Sequence, residues 1–226
     1  MKKNLILPQG FVFLKDIDSS IIQSVRYRTS NNFTGRVVEG CYDEIICTYE
    51  AAVSLTNAQA SLKQKNYELV VYDGYRPARV PLRWMEWSKD EEDIIAKPFY
   101  YPTISKEDMF ALGYVSEKSS HSRGSTFEVS LIEFGKEISE IEYLNTTLTS
   151  GKEIPFLDDG TVNMGSSFDL FHEASWHDSN LINQDSRQLR DLLRTEMVGA
   201  GFVPYKSEWW HYTLQDEPFP DTYFDF

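Results

Sequence analysis

SSHSRGSTFE, at residues 119–128, combines a histidine, an arginine and a glutamate with several small residues. Its end overlaps TFEVSLIEF, residues 126–134, in which polar and apolar side chains alternate. Alternation places successive side chains on opposite faces of a strand, so this pattern predicts a strand over 126–134. We therefore expect the polar segment to lead directly into a sheet.

A second segment, EWWH at residues 208–211, places Glu208 three positions before His211. Hydrolytic zinc sites use three protein ligands, an open position for water and a nearby carboxylate that accepts the water's proton. His121, Glu128 and His211 are candidate ligands, and Glu208 is a candidate base. Spacing alone does not separate this interpretation from ordinary surface or core groups.

Two further segments carry charged residues at loops. YDGYRP, residues 72–77, follows a predicted strand and places Arg76 between a glycine and a proline, where it could face an oxyanion or a carboxylate. An ordinary turn with a solvated arginine is the alternative. MGSSFD, residues 164–169, ends in Asp169, which could hold a substrate ammonium group or be a simple loop carboxylate.

The remaining sequence predicts helices and strands in irregular order. This mixture favours an α+β fold with an antiparallel sheet, rather than regular βαβ units. No internal repeat or linker divides the chain, so we expect one domain over residues 1–226. The predicted elements are a helix over 48–66, a strand over 68–72, a helix beginning near Pro77, a helix from Ser105 to Gly113, a helix from Ser186 to Met197 and a strand from Trp209 to Leu214.

The same patterns predict which side chains are buried. Trp209 and Trp210 are expected on opposite faces of the last strand, one of them toward the site. His172 and His177 lie in a polar stretch and are expected at the surface or behind the site. We expect the aromatic and acidic segment 216–226 to pack across the domain. Apolar spacing assigns buried faces to two helices, namely Tyr49, Ala52, Val53 and Leu55 in the first, and Leu189, Leu192, Leu193 and Met197 in the second.

Composition excludes several classes of partner. The chain has 226 residues, with 22 Lys+Arg against 35 Asp+Glu and a formal charge of −13. Nucleic acids and anionic membranes are bound chiefly by clustered basic residues, so neither is an expected partner. No run approaches the roughly 20 apolar residues of a membrane span. Oligomeric state is not indicated.

The N-terminal residues and the cysteines bear on location. Lys2 and Lys3 precede a short apolar run that Pro8 interrupts, and no small-residue cleavage site follows, so we expect a cytoplasmic protein. A periplasmic location stays open if a signal peptide has been removed. Cys41 and Cys47 are too few for a disulfide scaffold and are expected to be reduced, partly buried thiols.

Taken together, the four segments resemble one family. GYRP, SSHSRGS with an acid three positions later, MGxxFD and EWWH occur in the order found in D-alanyl-D-alanine dipeptidases of the vancomycin-resistance type. These are zinc dipeptidases related to D,D- and L,D-carboxypeptidases. The resemblance runs from about Asn32 to His211, and the segments at 119–125 and 208–211 are its most specific parts. It implies the small α+β fold of these peptidases and of the hedgehog signalling domain, with flanking helices and zinc on an antiparallel sheet.

The resemblance also implies roles for individual residues and a small dipeptide as substrate. His121, His211 and the acid at position 128 would hold one zinc ion per chain. Glu208 would take a proton from the attacking water and pass it to the leaving amine. Arg76 would steady the tetrahedral intermediate. Asp169 would hold the free ammonium group of the dipeptide, and Ser119 would line the substrate pocket.

Position 128 departs from the family pattern. The family has an aspartate seven residues after the first histidine, whereas this chain has Glu128. The longer side chain could fold back to bind zinc normally, bind through both oxygens and crowd the water, or fail to bind and leave a two-histidine site of low affinity. An engineered substitution is a further alternative. If Glu128 disables catalysis, the chain would be an impaired module that binds peptidoglycan-derived peptides. Two histidines and one carboxylate also describe non-haem iron oxygenases, but the surrounding segments do not fit that class.

Overall fold

The computed structural model describes residues 6–226, so the expectation placed on Lys2 and Lys3 lies outside the described residues. Short 3-10 helices supplement the regular elements, and the one at Ser120–Arg123 lies in the site. The strands and α-helices, numbered in chain order, are β1 Phe11–Phe13, α1 Leu14–Ile17, β2 Ile22–Gln23, β3 Ile46–Thr48, α2 Tyr49–Lys63, β4 Tyr67–Asp73, α3 Arg79–Ser88, α4 Lys97–Tyr100, α5 Lys106–Ala111, β5 Thr126–Glu133, β6 Glu142–Thr147, β7 Glu153–Asp158, α6 Gln184–Gly199, β8 Phe202–Pro204 and β9 His211–Leu214.

A five-stranded sheet in the order β2-β4-β5-β9-β8 forms the centre of the molecule. Its pairs are antiparallel except for β2, which runs parallel to β4. Two separate two-stranded sheets pair β1 with β3 and β6 with β7. The predicted α+β fold is confirmed, with one parallel edge pair that the sequence did not indicate.

The two faces of β5 have different surroundings. Phe127, Val129 and Leu131 are fully buried and belong to the main hydrophobic core. That core also contains side chains of α2 and α6, which contact each other and the sheet. Glu128, on the alternate face, points into a cavity instead. Around Glu128 the strand thus separates the core from the candidate site, whereas Ile132, further along the same face, belongs to the core.

The helix predicted over 48–66 forms as α2, and its buried face is shifted. Ala52 and Leu55 are buried as expected, whereas Tyr49 is 51% exposed and Val53 is 38% exposed. The buried face is centred on the stripe Ala51, Leu55, Ala58 and Leu62, which leaves Tyr49 and Val53 at its margins.

Ends of other elements also differ from the predictions. Pro77 precedes α3 instead of lying in its first turn. Helix α6 is capped by Asn183, whose Oδ1 accepts a hydrogen bond of 2.8 Å from the backbone N–H of Ser186, the residue predicted as the cap. The predicted capping of α5 is confirmed, because Ser105 and Asp108 form a reciprocal capping box.

The predicted strand Trp209–Leu214 begins two residues late. The His211 N–H donates to the Glu208 carbonyl, so the two tryptophans lie in a turn before β9. Both are buried in the main core, and the prediction that one faces the site is wrong. A turn does not impose the alternation on which that prediction depended.

Other sequence-based predictions have mixed outcomes. Cys41 and Cys47 are free thiols, both buried. His172 is half-buried, whereas His177 is buried beside the ring of Tyr212, so it is not a surface residue. Among the helices of residues 6–226, none is long and apolar enough to cross a membrane.

Candidate active site

Sheet register brings three polar residues together. Glu128 on β5 lies opposite Asp73 on β4 and opposite His211 on β9. Partners across a strand pair lie on the same face of the sheet. A central carboxylate therefore has a neighbour on each side, one acidic and one basic.

His121 and His211 both point at one oxygen of Glu128. Nε2 of His121 is 2.7 Å from Oε1 of Glu128, and Nδ1 of His211 is 3.1 Å from the same oxygen. The candidate ligand atoms of the three residues lie within 4.8 Å of one another, and no other group of this kind occurs among residues 6–226. Two histidine nitrogens and a carboxylate oxygen are a common ligand set for a catalytic metal ion.

The hydrogen bond behind His121 fixes its tautomer. Nδ1 of His121 is 2.8 Å from the carbonyl oxygen of Gly74, which can only accept, so Nδ1 carries the proton. Burial, followed by the positive charge of Arg76, lowers the pKa of His121 and favours the neutral ring. The neutral ring leaves its Nε2 lone pair on the side of the Glu128 carboxylate, where a metal ion could be held between the two groups. A backbone carbonyl behind a ligating imidazole is the usual support of a metal-bound histidine.

The charges of Glu128 and His211 are coupled to each other. Burial opposes ionisation of Glu128, but the charge of His211 and its hydrogen bond hold the pKa of Glu128 well below its usual range. Burial likewise opposes the charge on His211, yet the Glu128 carboxylate raises the pKa of His211 to about 10. Oε2 of Glu128 is buried and finds no hydrogen-bond partner in the described part of the chain. A metal ion that displaces the His211 proton would keep the Glu128 carboxylate ionised, and on that condition the three residues fit a bound metal ion.

The loop that carries His121 depends on a glycine. Gly124 ends the 3-10 helix Ser120–Arg123 with a φ of +86°, a conformation that favours glycine. A Cβ built there would lie 2.3 Å from Cε1 of Phe11. The sequence thus allows the chain to turn from the histidine loop into β5 against an aromatic ring.

Gly124→Ala is expected to destabilise the protein. Backbone strain alone costs about 1–3 kcal/mol at a left-handed position, and displacement of Phe11 adds to that cost. Gly151→Ala is the matched control, because Gly151 has a φ of +82° and open space around its Cβ position. Chemical denaturation of both variants measures the difference. Equal losses of unfolding free energy would show that the ring contact contributes nothing.

Arg76 is held rigidly at the cavity wall. Its Nε and Nη2 donate hydrogen bonds of 2.9 and 2.6 Å to Oδ2 of Asp73. The guanidinium lies 4.8 Å from the ring centroid of Tyr27 and 4.5 Å from that of Trp84. Because these bonds use Nε and Nη2, Nη1 has no hydrogen-bond partner among residues 6–226 and is available to a ligand in the cavity. The two rings lie next to each other, with centroids 5.1 Å apart, and their contacts limit the rotamers and preorganise the charge.

Asp169 lies on another wall with an unusual backbone. Its φ is +59°, and its Oδ2 accepts a hydrogen bond of 2.9 Å from the hydroxyl of Tyr27. Burial, reinforced by the charge of Glu128, raises the pKa of Asp169 well above its usual range. A buried carboxyl of this kind ionises most readily against a cation. An ammonium group in the cavity would therefore both bind Asp169 and hold it ionised.

Glu208 lies beside the histidine and carboxylate group. It is buried, and its Oε2 is 3.3 Å from Nδ1 of His211. Burial raises the pKa of Glu208 to about 7. A carboxylate with a pKa near neutrality can both accept and return a proton.

A cavity of about 380 Å³ joins these groups. All seven residues singled out from the sequence line it, so the structure places them around one space. Ser119 is half-buried at its edge, where its Oγ accepts a hydrogen bond of 3.3 Å from the backbone N–H of His121. The complete set is Arg76, Ser119, His121, Glu128, Asp169, Glu208 and His211.

Comparison with known proteins assigns the chain to a family. The sequence profile described as D-ala-D-ala dipeptidase matches residues 8–140 and 152–226. The chain belongs to this family. The family consists of metallopeptidases, so the chain is a peptidase, and His121, Glu128 and His211 are the group that could hold a metal ion.

Individual relatives match over nearly the whole peptidase. A D-alanyl-D-alanine dipeptidase of Enterococcus faecium is 39% identical over 218 residues, which cover 96% of this chain and 97% of the relative. One of Enterococcus faecalis is 37% identical over 222 residues, covering 97% and 98%. One of Streptomyces coelicolor is 36% identical over 217 residues, covering 96% of each chain.

Sequence reasoning missed three residues of the peptidase site. Asp73 orients Arg76. Its position at the end of a predicted strand, three residues before the arginine, could have indicated this contact. No sequence pattern indicated Tyr27, because it contacts Asp169, which lies 142 positions away in the sequence. Ser120 places its Oγ 3.4 Å from Nε2 of His211 and precedes the recognised histidine directly.

Proposed function

We propose that the protein is a zinc-dependent dipeptidase that hydrolyses D-alanyl-D-alanine or a similar D-configured dipeptide. The main support is the position of His121, whose Nε2 lone pair faces Glu128 with His211 on the same oxygen. The names of relatives at 36–39% identity support the substrate class. Histidine and carboxylate ligands in this number suit zinc.

Glu208 is the general base in this proposal. A zinc ion held by His121, Glu128 and His211 would polarise the scissile carbonyl and make water more acidic. Glu208 accepts the proton of the attacking water and then delivers it to the nitrogen of the leaving amine. Its buried position and its raised pKa suit both transfers.

Arg76 stabilises the negative charge that develops on the carbonyl oxygen. Its guanidinium is buried and already fixed by Asp73, so little reorganisation accompanies the reaction. Charge that is preorganised in a site of low dielectric constant stabilises a transition state more than it would in water.

Asp169 determines that the substrate has a free amino group. Its buried carboxyl lines the same cavity as Arg76 and Glu208, with no basic side chain bonded to it among residues 6–226. The ammonium group of a substrate would pair with this carboxyl, whereas an acylated amine would leave it unpaired. This distinguishes a dipeptidase from a carboxypeptidase that trims longer chains.

Glu128 is compatible with catalysis. The side chain folds so that a single oxygen, Oε1, lies near both histidine nitrogens. This arrangement supports the first of the three alternatives raised by the sequence, in which glutamate binds zinc in nearly normal geometry. The impaired binding module has less support, since Glu208 and Arg76 would have no proton or oxyanion to act on.

A substrate panel tests the proposal. We expect zinc-loaded protein to release D-alanine from D-Ala-D-Ala, and not from N-acetyl-D-Ala-D-Ala or L-Ala-L-Ala. Faster release from the acetylated peptide would indicate a carboxypeptidase. Equal hydrolysis of the L,L-dipeptide would contradict the assigned substrate class.

Asp169→Asn is expected to lower kcat/KM for D-Ala-D-Ala, mainly through a higher KM. A hydrogen bond to a charged group contributes about 1.5–3 kcal/mol, which corresponds to roughly 10- to 150-fold in kcat/KM. Asparagine keeps the size and can still accept from Tyr27, so the fold is preserved. Steady-state kinetics against Asp178→Asn, at an exposed position, checks the effect. An unchanged KM would remove Asp169 from ammonium binding.

A further inference from the structure

The aromatic segment, residues 217–226, packs behind the loops of the active site. The ring of Phe226 stacks on that of Tyr75, with ring centroids 4.1 Å apart. Phe224 contacts Phe11 edge-on, with ring centroids 4.8 Å apart. Phe219 stacks on Phe11 at 5.9 Å. The segment therefore covers Tyr75, which precedes Arg76, and Phe11, which packs against Gly124.

Phe224 bridges two catalytic loops through its backbone. Its N–H donates a hydrogen bond of 2.8 Å to the carbonyl of Ser122, and its carbonyl accepts one of 2.9 Å from Ala78. Ser122 follows His121 directly, and Ala78 lies two residues after Arg76. The backbone of Phe224 thus connects the loop that carries His121 to the loop that carries Arg76.

Ionic contacts hold the aromatic segment on both sides of this bridge. Arg123 donates hydrogen bonds of 2.9 Å from Nε to both carboxylate oxygens of Glu217. Asp225 accepts hydrogen bonds of 2.9 and 3.0 Å from the backbone N–H and Nη1 of Arg79. Each contact joins the segment to a residue just beyond one of the catalytic loops, so the bridge is anchored at two points.

We propose that the aromatic segment is a positioning element that holds the Arg76 and His121 loops in register. The proposal rests on the proposed dipeptidase function for its kinetic consequences. The loops also contact each other directly, because the Arg76 N–H donates to the His121 carbonyl at 3.3 Å and Nδ1 of His121 donates to the Gly74 carbonyl at 2.8 Å. The two bonds through Phe224 join the same loops one residue beyond His121 and two residues beyond Arg76, so they add a second restraint on the distance between the oxyanion-stabilising arginine and the metal.

Deletion of residues 223–226 is expected to lower kcat by roughly 10- to 100-fold, because small displacements of catalytic groups have effects of this size. KM for D-Ala-D-Ala is expected to change less than threefold, since Asp169 lies outside both loops. The zinc dissociation constant is expected to rise. Asp221→Ala, at an exposed position of the same segment, is the control and should match the unaltered protein.

Two point variants separate positioning from packing if the deletion variant does not fold. Phe224→Ala removes the ring and keeps both backbone bonds, whereas Phe224→Pro also removes the N–H that donates to Ser122. We expect the proline variant to lose more kcat than the alanine variant at equal melting temperature. A double-mutant cycle with Arg76→Lys should be non-additive, because the segment acts through Arg76.

The outcomes distinguish this inference from the proposed function. If the unaltered protein hydrolyses D-Ala-D-Ala and the deletion changes neither kcat nor zinc affinity, the positioning role is overturned. Additive losses in the double-mutant cycle would also overturn it. If the unaltered protein is inactive, the dipeptidase proposal fails, and zinc affinity of the deletion variant alone then decides the positioning role.

Discussion

Glu208→Gln is expected to lower kcat for D-Ala-D-Ala by roughly 100- to 10,000-fold, the range contributed by general acid–base groups. Glutamine has nearly the same shape as glutamate and can accept a hydrogen bond from His211, but it cannot carry the proton. The metal ligands are untouched, so bound zinc should remain at the level of the unaltered protein. The loss should therefore appear in kcat with little change in KM.

Steady-state kinetics and metal analysis on the same samples measure this effect. Glu173→Gln, at an exposed position of a 3-10 helix, makes the same chemical change away from the cavity and should leave activity unchanged. Substantial turnover by zinc-loaded Glu208→Gln would show that another group moves the proton. Loss of zinc from this variant would assign Glu208 to metal binding instead.

Arg76→Lys is expected to lower kcat by about 100- to 1,000-fold, comparable with the loss of one oxyanion-stabilising donor. Lysine keeps the positive charge, but it lacks the planar fork that Asp73, Tyr27 and Trp84 hold in place. Asp73 retains a cationic neighbour, so the variant avoids the large cost of an unpaired buried carboxylate.

The split between kcat and KM tests what Arg76 contacts. Stabilisation of the oxyanion predicts a fall in kcat with KM nearly unchanged, because the interaction forms in the transition state. A raised KM at constant kcat would show that Arg76 binds the substrate carboxylate in the ground state. Melting temperatures of the variant and the unaltered protein show whether the fold is intact.

The fold was predictable where local sequence and tertiary packing agree. Alternation in residues 126–134 predicts β5, and the serine and aspartate around the start of α5 predict its cap. Strand β2 has only two residues and pairs parallel with β4, so no periodic pattern indicates it. Val53 was assigned to the buried face of α2 by apolar spacing, but the buried stripe runs through Ala51, Leu55, Ala58 and Leu62.

The site was predictable as far as it consists of short motifs. Residues 119–128 and 208–211 supply five of the seven residues first singled out, and their family resemblance assigned roles that spacing alone could not. Contacts made across the fold were not predictable. Tyr27 bonds to Asp169 from a distant part of the chain, and Phe224 joins two loops through its backbone, which no side-chain motif records.

Zinc titration of metal-free protein, with D-alanine release from D-Ala-D-Ala and bound metal measured together, tests the central claim most directly. Glu128→Asp is run beside the unaltered protein as the matched variant. The account predicts that activity of the unaltered protein rises in proportion to bound zinc and levels off at one ion per chain. One bound zinc per chain without D-alanine release from the unaltered protein would contradict it, whether or not Glu128→Asp is active.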